Sequence, residues 1–263
     1  MQTFSLTKWY LDCVDAEGRV AIVYWSALAW RGAEISWHSL AVYQPGAAPL
    51  ERSSTKAVPP PTNADGALTW HTAPLKCRLT CHSRVPVFAQ RLLDCDEGLV
   101  DWRCESAHGD VIVECDDHET VRGKGYAECL SMTLPPWRLP IDQLRWGRWL
   151  SASSDRSVVW IDWRGPHPLA AIFVDGQMRQ AGTVGDAGIE AGVAALTLAD
   201  QQTLYSRSLS DTLGALRPML APLLPQPWLA VEDRKWLSRG TLRVAGRPDE
   251  SGWVIHETVR WPS

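Results

Sequence analysis

The sequence lacks the features that mark several large functional classes. No apolar run approaches the ~20 residues that a transmembrane helix needs, and no basic cluster would hold the chain on an anionic membrane surface. Lys and Arg total 26 against 30 for Asp and Glu, so the formal net charge is -4 and the isoelectric point is about 6.0. That balance argues against a nucleic-acid partner. Residues Met1 to Asp12 have no basic leader followed by an apolar core, so we expect no signal peptide and a cytoplasmic location.

Cysteine and glycine patterns also fail to indicate a metal or a cofactor. The 7 Cys are odd in number, which with the missing leader predicts reduced thiols. Cys77, Cys81 and His82 have no second pair at zinc-finger spacing, so no metal site is predicted. The segment Gly182–Gly192 is glycine-rich but lacks the Lys and the strand–helix context of a phosphate loop. We therefore expect chemistry that needs no cofactor.

Tryptophan is what the sequence has in excess. There are 15 Trp against 3 Phe. An indole ring offers a wide apolar wall with one N–H donor, which suits the lining of a cavity for a large apolar ligand. Ordinary core packing is the expected role of about two-thirds of these residues, and the remainder are candidates for a ligand site.

Short apolar or alternating segments, separated by turn signals, predict about fourteen strands and one helix. The proline-rich connector Leu134–Pro140 interrupts them near the middle of the chain. Closed sheets remove exposed strand edges, so this spacing favours an all-β protein of two antiparallel barrels, with domains at 1-136 and 137-263. The helix is predicted at Asp211–Leu224, with Asp211 as its N-cap, and the segment Val193–Leu209 fits neither pattern.

The strand after Gly125 carries the leading candidate for chemistry. Alternation places Glu128 on one face with Tyr126, Leu130 and Met132, an otherwise apolar or aromatic row. A carboxyl group there needs a partner or a function, because burying it charged and alone is costly. We interpret Glu128 as a pocket acid inside a barrel, with Tyr126 orienting it or the substrate.

Other residues complete this interpretation. Trp102, Trp137 and Trp160 are candidate cavity walls, and Asp162 is a second candidate acid because it shares a face with Trp160. His38 is either a pocket residue or a hydrogen-bonded structural histidine. The alternative for the acids is a structural ion pair. This alternative pairs Glu128, Asp162 and Glu257 with arginines such as Arg145, Arg148 or Arg164.

Several short stretches, in order from end to end of the chain, resemble the AttH/CrtC-like family of two-domain lipocalin-like proteins. The family includes carotenoid 1,2-hydratases, and fungal decalin-forming pericyclases look like structural relatives. The stretches are Lys8–Asp12, Gly123–Glu128, Leu144–Arg148, Val159–Arg164, and Ile255–Glu257 with Arg260–Pro262. The resemblance implies two lipocalin-like barrels with one short helix near the C-terminus.

The hydratases resemble this chain most directly at the motif Gly-x-Gly-Tyr-x-Asp, whose aromatic residue and acid are the proposed catalytic pair. That implies the same roles for Tyr126 and Glu128, with Glu in place of Asp. A Trp of the hydratases falls on Trp102, but Val100 stands where they usually have His. Cys129 and Leu130 also replace polar residues of the hydratase pattern.

These residues are compatible with three functions. The first is a cofactor-independent hydratase, cyclase or isomerase that acts by acid catalysis on a hydrophobic polyene or terpenoid, for which Glu128 is expected to stay protonated. The second is a pericyclase that works by positioning its substrate. The third is a lipocalin-type carrier of an apolar ligand. In each case we expect a hydrophobic small-molecule partner, collected through transient contact with a membrane surface, and the oligomeric state stays open.

Overall fold

The computed structural model describes residues 4–213, 221 and 224–262. The chain divides into two compact units, Met1–Pro135 and Pro136–Ser263. Each unit is built on one antiparallel sheet, and the expected all-β, lipocalin-like fold is confirmed.

Ten strands form the sheet of the N-terminal unit. They are β1 (Phe4–Val14), β2 (Val20–Trp30), β3 (Ala33–Tyr43), β4 (Leu50–Ser54), β5 (Thr62–Ala64), β6 (Ala67–Thr72), β7 (Cys77–Ser83), β8 (Phe88–Cys95), β9 (Gly98–Cys115) and β10 (His118–Met132). Their order is β4-β3-β2-β1-β10-β9-β7-β6-β5, and β8 pairs with β9 beside this path. The long β9 serves two partners, because its first part pairs with β8 and its last part with β7.

The two faces of this sheet carry different side chains. One face forms the hydrophobic core of the unit, to which β1 contributes Trp9 and Leu11 and β10 contributes Ala127. Since alternate residues of a strand point to opposite faces, Tyr10, Tyr126 and Glu128 belong to the other face. Many side chains of that second face are also buried, so the strands of this region are apolar on both sides.

Nine strands form the sheet of the C-terminal unit. They are β11 (Gln143–Ser151), β12 (Ser157–Arg164), β13 (Leu169–Val174), β14 (Gln177–Arg179), β15 (Gly182–Val184), β16 (Gly188–Ala191), β17 (Ala194–Ser208), β18 (Glu232–Val244) and β19 (Glu250–Arg260). Their order is β14-β13-β12-β11-β19-β18-β17-β16-β15. Trp149, Trp160 and Leu242 lie in its hydrophobic core.

The described residues thus hold nineteen strands, more than the sequence patterns predict. The segment Val193–Leu209, which fits neither pattern, contains the strand β17. The helix α1 (Leu209–Leu213) begins two residues before the predicted start, and most of the predicted remainder, 214–220 with 222–223, lies outside the described residues. Helices in the described part of the chain are all too short or too polar to span a lipid bilayer.

Candidate functional site

Glu128 is held by two neutral donors in the N-terminal unit. Trp102 Nε1 donates to Glu128 Oε2 at 2.6 Å, and the hydroxyl of Tyr126 donates to the same oxygen at 2.7 Å. The Tyr126 side chain is fully buried, Trp102 is 2% exposed, and Glu128 is half-buried. An indole N–H is only a donor, so Trp102 fixes Oε2 as an acceptor and with Tyr126 sets the orientation of the carboxyl group.

This arrangement follows from the local strand pairing. Glu128 lies opposite Tyr10 on β1 and opposite Cys104 on β9. Next to it the ladder is irregular: β9 runs from Gly109 to Cys104 while β10 runs only from Gly125 to Glu128. Such bulges bend a strand and re-aim its side chains, and they are common beside active sites.

The Gly-Lys-Gly segment before Tyr126 lets β10 approach β1 closely. A Cβ on Gly123 would lie 2.0 Å from the carbonyl oxygen of Val14, and one on Gly125 would lie 2.1 Å from that of Asp12. Only glycine fits at both positions without separation of the strands. The glycines of the motif therefore act on packing, and they place Tyr126 and Glu128 against β1.

The groups around Glu128 keep their own protons at neutral pH. Burial, with the neighbouring Cys104 and Glu128, raises the pKa of Tyr126 well above its usual range. Burial and the charge of Glu128 also raise the pKa of the Cys104 thiol. Tyr126 is therefore a stable O–H donor to Glu128 and does not compete with it as an acid.

Glu128 belongs to a row of aromatic side chains that crosses the sheet. We call this set the aromatic row; its members on β3, β2, β1, β10, β9 and β8 are Trp37, Tyr24, Tyr10, Tyr126, Trp102 and Phe88. Ring centroids are 6.2 Å apart for Tyr24 and Trp37, 5.2 Å for Tyr10 and Tyr24, 6.2 Å for Tyr10 and Tyr126, and 5.7 Å for Phe88 and Trp102. The row therefore places aromatic side chains on both sides of the strand that carries Glu128.

A buried pair that the sequence patterns did not predict lies on the strand next to Glu128. The Tyr10 hydroxyl donates to Asp12 Oδ2 at 2.8 Å, and both side chains are buried. In the β1–β10 register Tyr10 lies opposite Glu128 and Asp12 opposite Tyr126. The available signal was the Trp-Tyr-Leu-Asp stretch of β1, but its contribution depends on a pairing register that alternation alone does not give.

We expected Glu128 inside the barrel, and the structure places it instead on the face opposite the hydrophobic core cluster. Trp102 and Tyr126 both donate to its Oε2 atom. His38 lies on the core side of the same sheet, 5.8 Å from the Trp70 ring, so the structure does not bring it to Glu128. Both ring nitrogens of His38 are buried without a hydrogen-bond partner among the described residues, and burial lowers its pKa.

The remaining predicted site residues lie in the C-terminal unit. Asp162 accepts a hydrogen bond from Arg164 Nε at 2.8 Å, which is the structural ion pair of the alternative interpretation. Trp137 packs edge-to-face against Trp228, with ring centroids 5.3 Å apart. Trp160 lines a cavity within this unit.

That cavity has a volume of about 270 Å³, and its lining residues all belong to the C-terminal unit. It lies near the end of the sheet where β18 begins and β19 ends. Its lining includes Arg145, Trp160, Trp236, His256, Thr258 and Arg260. A Cβ on Gly147 would lie 2.1 Å from the Trp160 ring, so this glycine makes room for one indole wall.

His256 is a titratable group of the cavity whose pKa is strongly shifted. Its Nε2 lies 3.0 Å from the Ser238 hydroxyl, and its ring stacks on Trp236 at 5.2 Å with an interplanar angle of 23°. Burial, with the positive charge of Lys235, lowers the pKa of His256 to about 4. The imidazole is therefore neutral near pH 7. Next to His256 in the sequence, Glu257 forms a buried ion pair with Lys235 of β18.

Comparisons with known proteins identify the fold. No protein-family model matches the sequence, and no curated protein sequence matches it either. Among solved structures, CghA with bound Sch210972 has a TM-score of 0.58 at 12% identity, covering 98% of this chain and 88% of its own. Kievitone hydratase from Nectria haematococca has a TM-score of 0.58 at 7% identity, covering 98% and 89%. An AttH-like protein from Nitrosomonas europaea has a TM-score of 0.53 at 9% identity, covering 97% and 92%. The chain therefore has the same fold as these three proteins.

Proposed function

We propose that this protein is a cofactor-independent hydratase, cyclase or isomerase that transfers a proton from Glu128 to a hydrophobic polyene or terpenoid. The observation that carries the proposal is the double hydrogen bond of Trp102 and Tyr126 to Glu128 Oε2. Two buried neutral donors on one oxygen give this acid a fixed orientation.

The chemistry requires an acid, π-faces and control of water. Glu128 passes its proton to one carbon of a substrate C=C bond, whose π electrons form the new C–H bond and leave the other carbon as a cation. The faces of the aromatic row, which include Tyr10 and Trp102, stabilise positive charge on that cation. As Glu128 loses the proton it becomes a carboxylate, and its bonds from Tyr126 and Trp102 strengthen.

The fate of the cation decides the reaction type. Water adds to the cation in a hydratase, and the surplus proton returns to the Glu128 carboxylate. A second double bond of the substrate attacks the cation in a cyclase, and an adjacent carbon then releases a proton. In an isomerase that release follows directly, without addition or ring closure. All three outcomes regenerate the acid, so no cofactor is consumed.

The structural neighbours support this class without deciding among its members. One is named a hydratase of kievitone, and CghA was solved with Sch210972 bound. Because identities are 7% and 12%, these likenesses concern the fold. The proposal for this chain depends on Glu128 and its partners.

Catalysis by positioning alone is the second candidate, and one observation favours it. Tyr126 and Trp102 are neutral donors within the aromatic row. Neutral donors and aromatic rings are the groups needed to hold a polyene in a reactive conformation without proton transfer. Glu128→Gln separates the two candidates, because the amide oxygen still accepts both hydrogen bonds while the acid proton is lost.

The experiment is a screen of acyclic terpenoid polyenes by liquid chromatography and mass spectrometry. A product one water heavier marks a hydratase, and an isobaric product marks a cyclase or isomerase. Glu128→Gln is expected to abolish turnover at an unchanged melting temperature. Asp162→Asn serves as the matched acid variant, and since Asp162 pairs with Arg164 we expect it to lower stability more than turnover. Full turnover by folded Glu128→Gln contradicts the proposal, and recovery of an unchanged apolar ligand from the native protein indicates a carrier.

A further inference from the structure

A second site lies in the C-terminal unit, and the proton-transfer chemistry above does not use it. Its cavity of about 270 Å³ is close to the lower end of the ~300–1,000 Å³ range of ligand pockets. Indole rings of Trp160 and Trp236 supply apolar walls, and Val184 and Leu198 add aliphatic surface. A cavity of this size and lining suits a planar molecule of one or two rings better than an extended polyene.

Arg145 gives the cavity a guanidinium group whose hydrogen-bond donors are only partly used by the protein. Its side chain is 13% exposed, and its ion-pair partner at 2.7 Å is Asp186, which is 91% exposed. The Nε atom of Arg145 is buried without a hydrogen-bond partner among the described residues. Buried donors are normally bonded, so an orphaned guanidinium nitrogen in a cavity wall indicates an acceptor that the protein alone does not supply.

The charges around Arg145 favour an anion as that acceptor. Of the acids that line the cavity, Glu257 pairs with the buried Lys235, and Glu232 pairs with Arg234 at 3.3 Å. Arg260 also lines the cavity and has no acidic partner within ion-pair distance among the described residues. The lining therefore has positive charge available at Arg145 and Arg260. The neutral His256 and the hydroxyl of Thr258 add hydrogen-bonding groups without adding negative charge.

We propose that this cavity binds a small aromatic carboxylate, with its ring against Trp160 and Trp236 and its carboxylate on Arg145. The planar guanidinium matches a carboxylate through two parallel hydrogen bonds, a geometry that lysine does not reproduce. In this arrangement the ligand competes with Asp186 for Arg145.

The test is isothermal titration of the full-length protein with 2-naphthoate and with its uncharged methyl ester. We expect saturable binding of 2-naphthoate and binding of the ester weaker by at least about tenfold, as removal of one charge-assisted hydrogen bond predicts. Arg145→Gln is expected to weaken 2-naphthoate by a similar factor and to leave the ester unchanged. Arg243→Gln is the matched control, since Arg243 pairs with the half-exposed Asp249 outside the cavity, and it is expected to bind both probes like the wild type.

Asp186→Asn keeps the proposal testable even if Arg145→Gln does not fold. Loss of the competing carboxylate is expected to tighten 2-naphthoate binding, whereas a purely structural Arg145–Asp186 pair predicts lower stability and no gain in affinity. Absence of saturable 2-naphthoate binding, equal affinity for acid and ester, or unchanged affinity in Asp186→Asn would each overturn the proposal.

Discussion

The hydrogen bond from Tyr126 to Glu128 allows a quantitative test of how the acid is held. Tyr126→Phe removes one hydroxyl that donates 2.7 Å to Oε2 and leaves the buried ring in place. Trp102 still donates to the same oxygen at 2.6 Å. The perturbation is therefore the loss of the Tyr126 donor alone, with little change of shape.

The magnitude follows from the charge that Glu128 acquires during proton transfer. A hydrogen bond to a charged group contributes about 1.5–3 kcal/mol, and about 1.4 kcal/mol corresponds to a tenfold change in rate. Since the bond strengthens as the carboxylate forms, we expect kcat to fall about 10- to 100-fold in Tyr126→Phe. KM should change little, because the hydroxyl stabilises the transition state more than the bound substrate.

The assay is the initial rate of product formation, with melting temperatures to check folding. Tyr43→Phe is the matched control, because Tyr43 also donates to a carboxylate, Glu51 Oε1 at 3.4 Å, away from Glu128. We expect its kcat to stay within about twofold of the wild type. Equal losses of activity in Tyr126→Phe and Tyr43→Phe would refute the positioning role of Tyr126. A rise in KM at unchanged kcat in Tyr126→Phe would refute it as well.

Three further predictions concern stability and are measured by chemical denaturation. Gly125→Ala places a Cβ 2.1 Å from a β1 carbonyl oxygen and should lower the free energy of unfolding by about 1–3 kcal/mol. Gly185→Ala is the control, because its Cβ meets nothing closer than 3.4 Å, and it should be nearly neutral. Equal losses of stability in the two variants would contradict a packing role for Gly125. His256 has a pKa of about 4 in the fold against 6.5 when unfolded, so stability is complete above about pH 6.5 and falls by about 3 kcal/mol down to pH 4, a loss that His256→Gln should remove. Lys235→Met leaves Glu257 without its buried Lys235 partner and should lower the free energy of unfolding by about 3–5 kcal/mol. The double variant with Glu257→Gln should recover most of this stability. A double variant no more stable than Lys235→Met would argue against the ion pair as the cause.

The alternation of side chains along the strands predicted much of the candidate site. It placed Tyr126 with Glu128 and gave Trp102 a buried face, and both features are found in the structure. It did not identify which face of β10 meets the core, because Ala127 on one face and Tyr126 on the other are equally buried. A strand that is apolar on both sides has no sequence signal that separates the two.

The side chains that contact each acid could be identified only from the pairing of the strands in the structure. Glu257 has arginines nearby in the sequence pattern, yet the β18–β19 register places Lys235 directly opposite it. Likewise Tyr10 approaches Glu128 only through the β1–β10 register. The long strand β17 was hidden because polar residues dominate its exposed middle, where Gln201 and Gln202 lie, and such a segment lacks a clear period.

The proton transfer itself is tested most directly by isotope incorporation in D2O. When a substrate polyene turns over in D2O, we expect one deuterium on carbon per product molecule with the wild type and none above background with Glu128→Gln. Product that forms at full rate without carbon-bound deuterium, or that carries the same deuterium in both proteins, would contradict Glu128 as the proton donor.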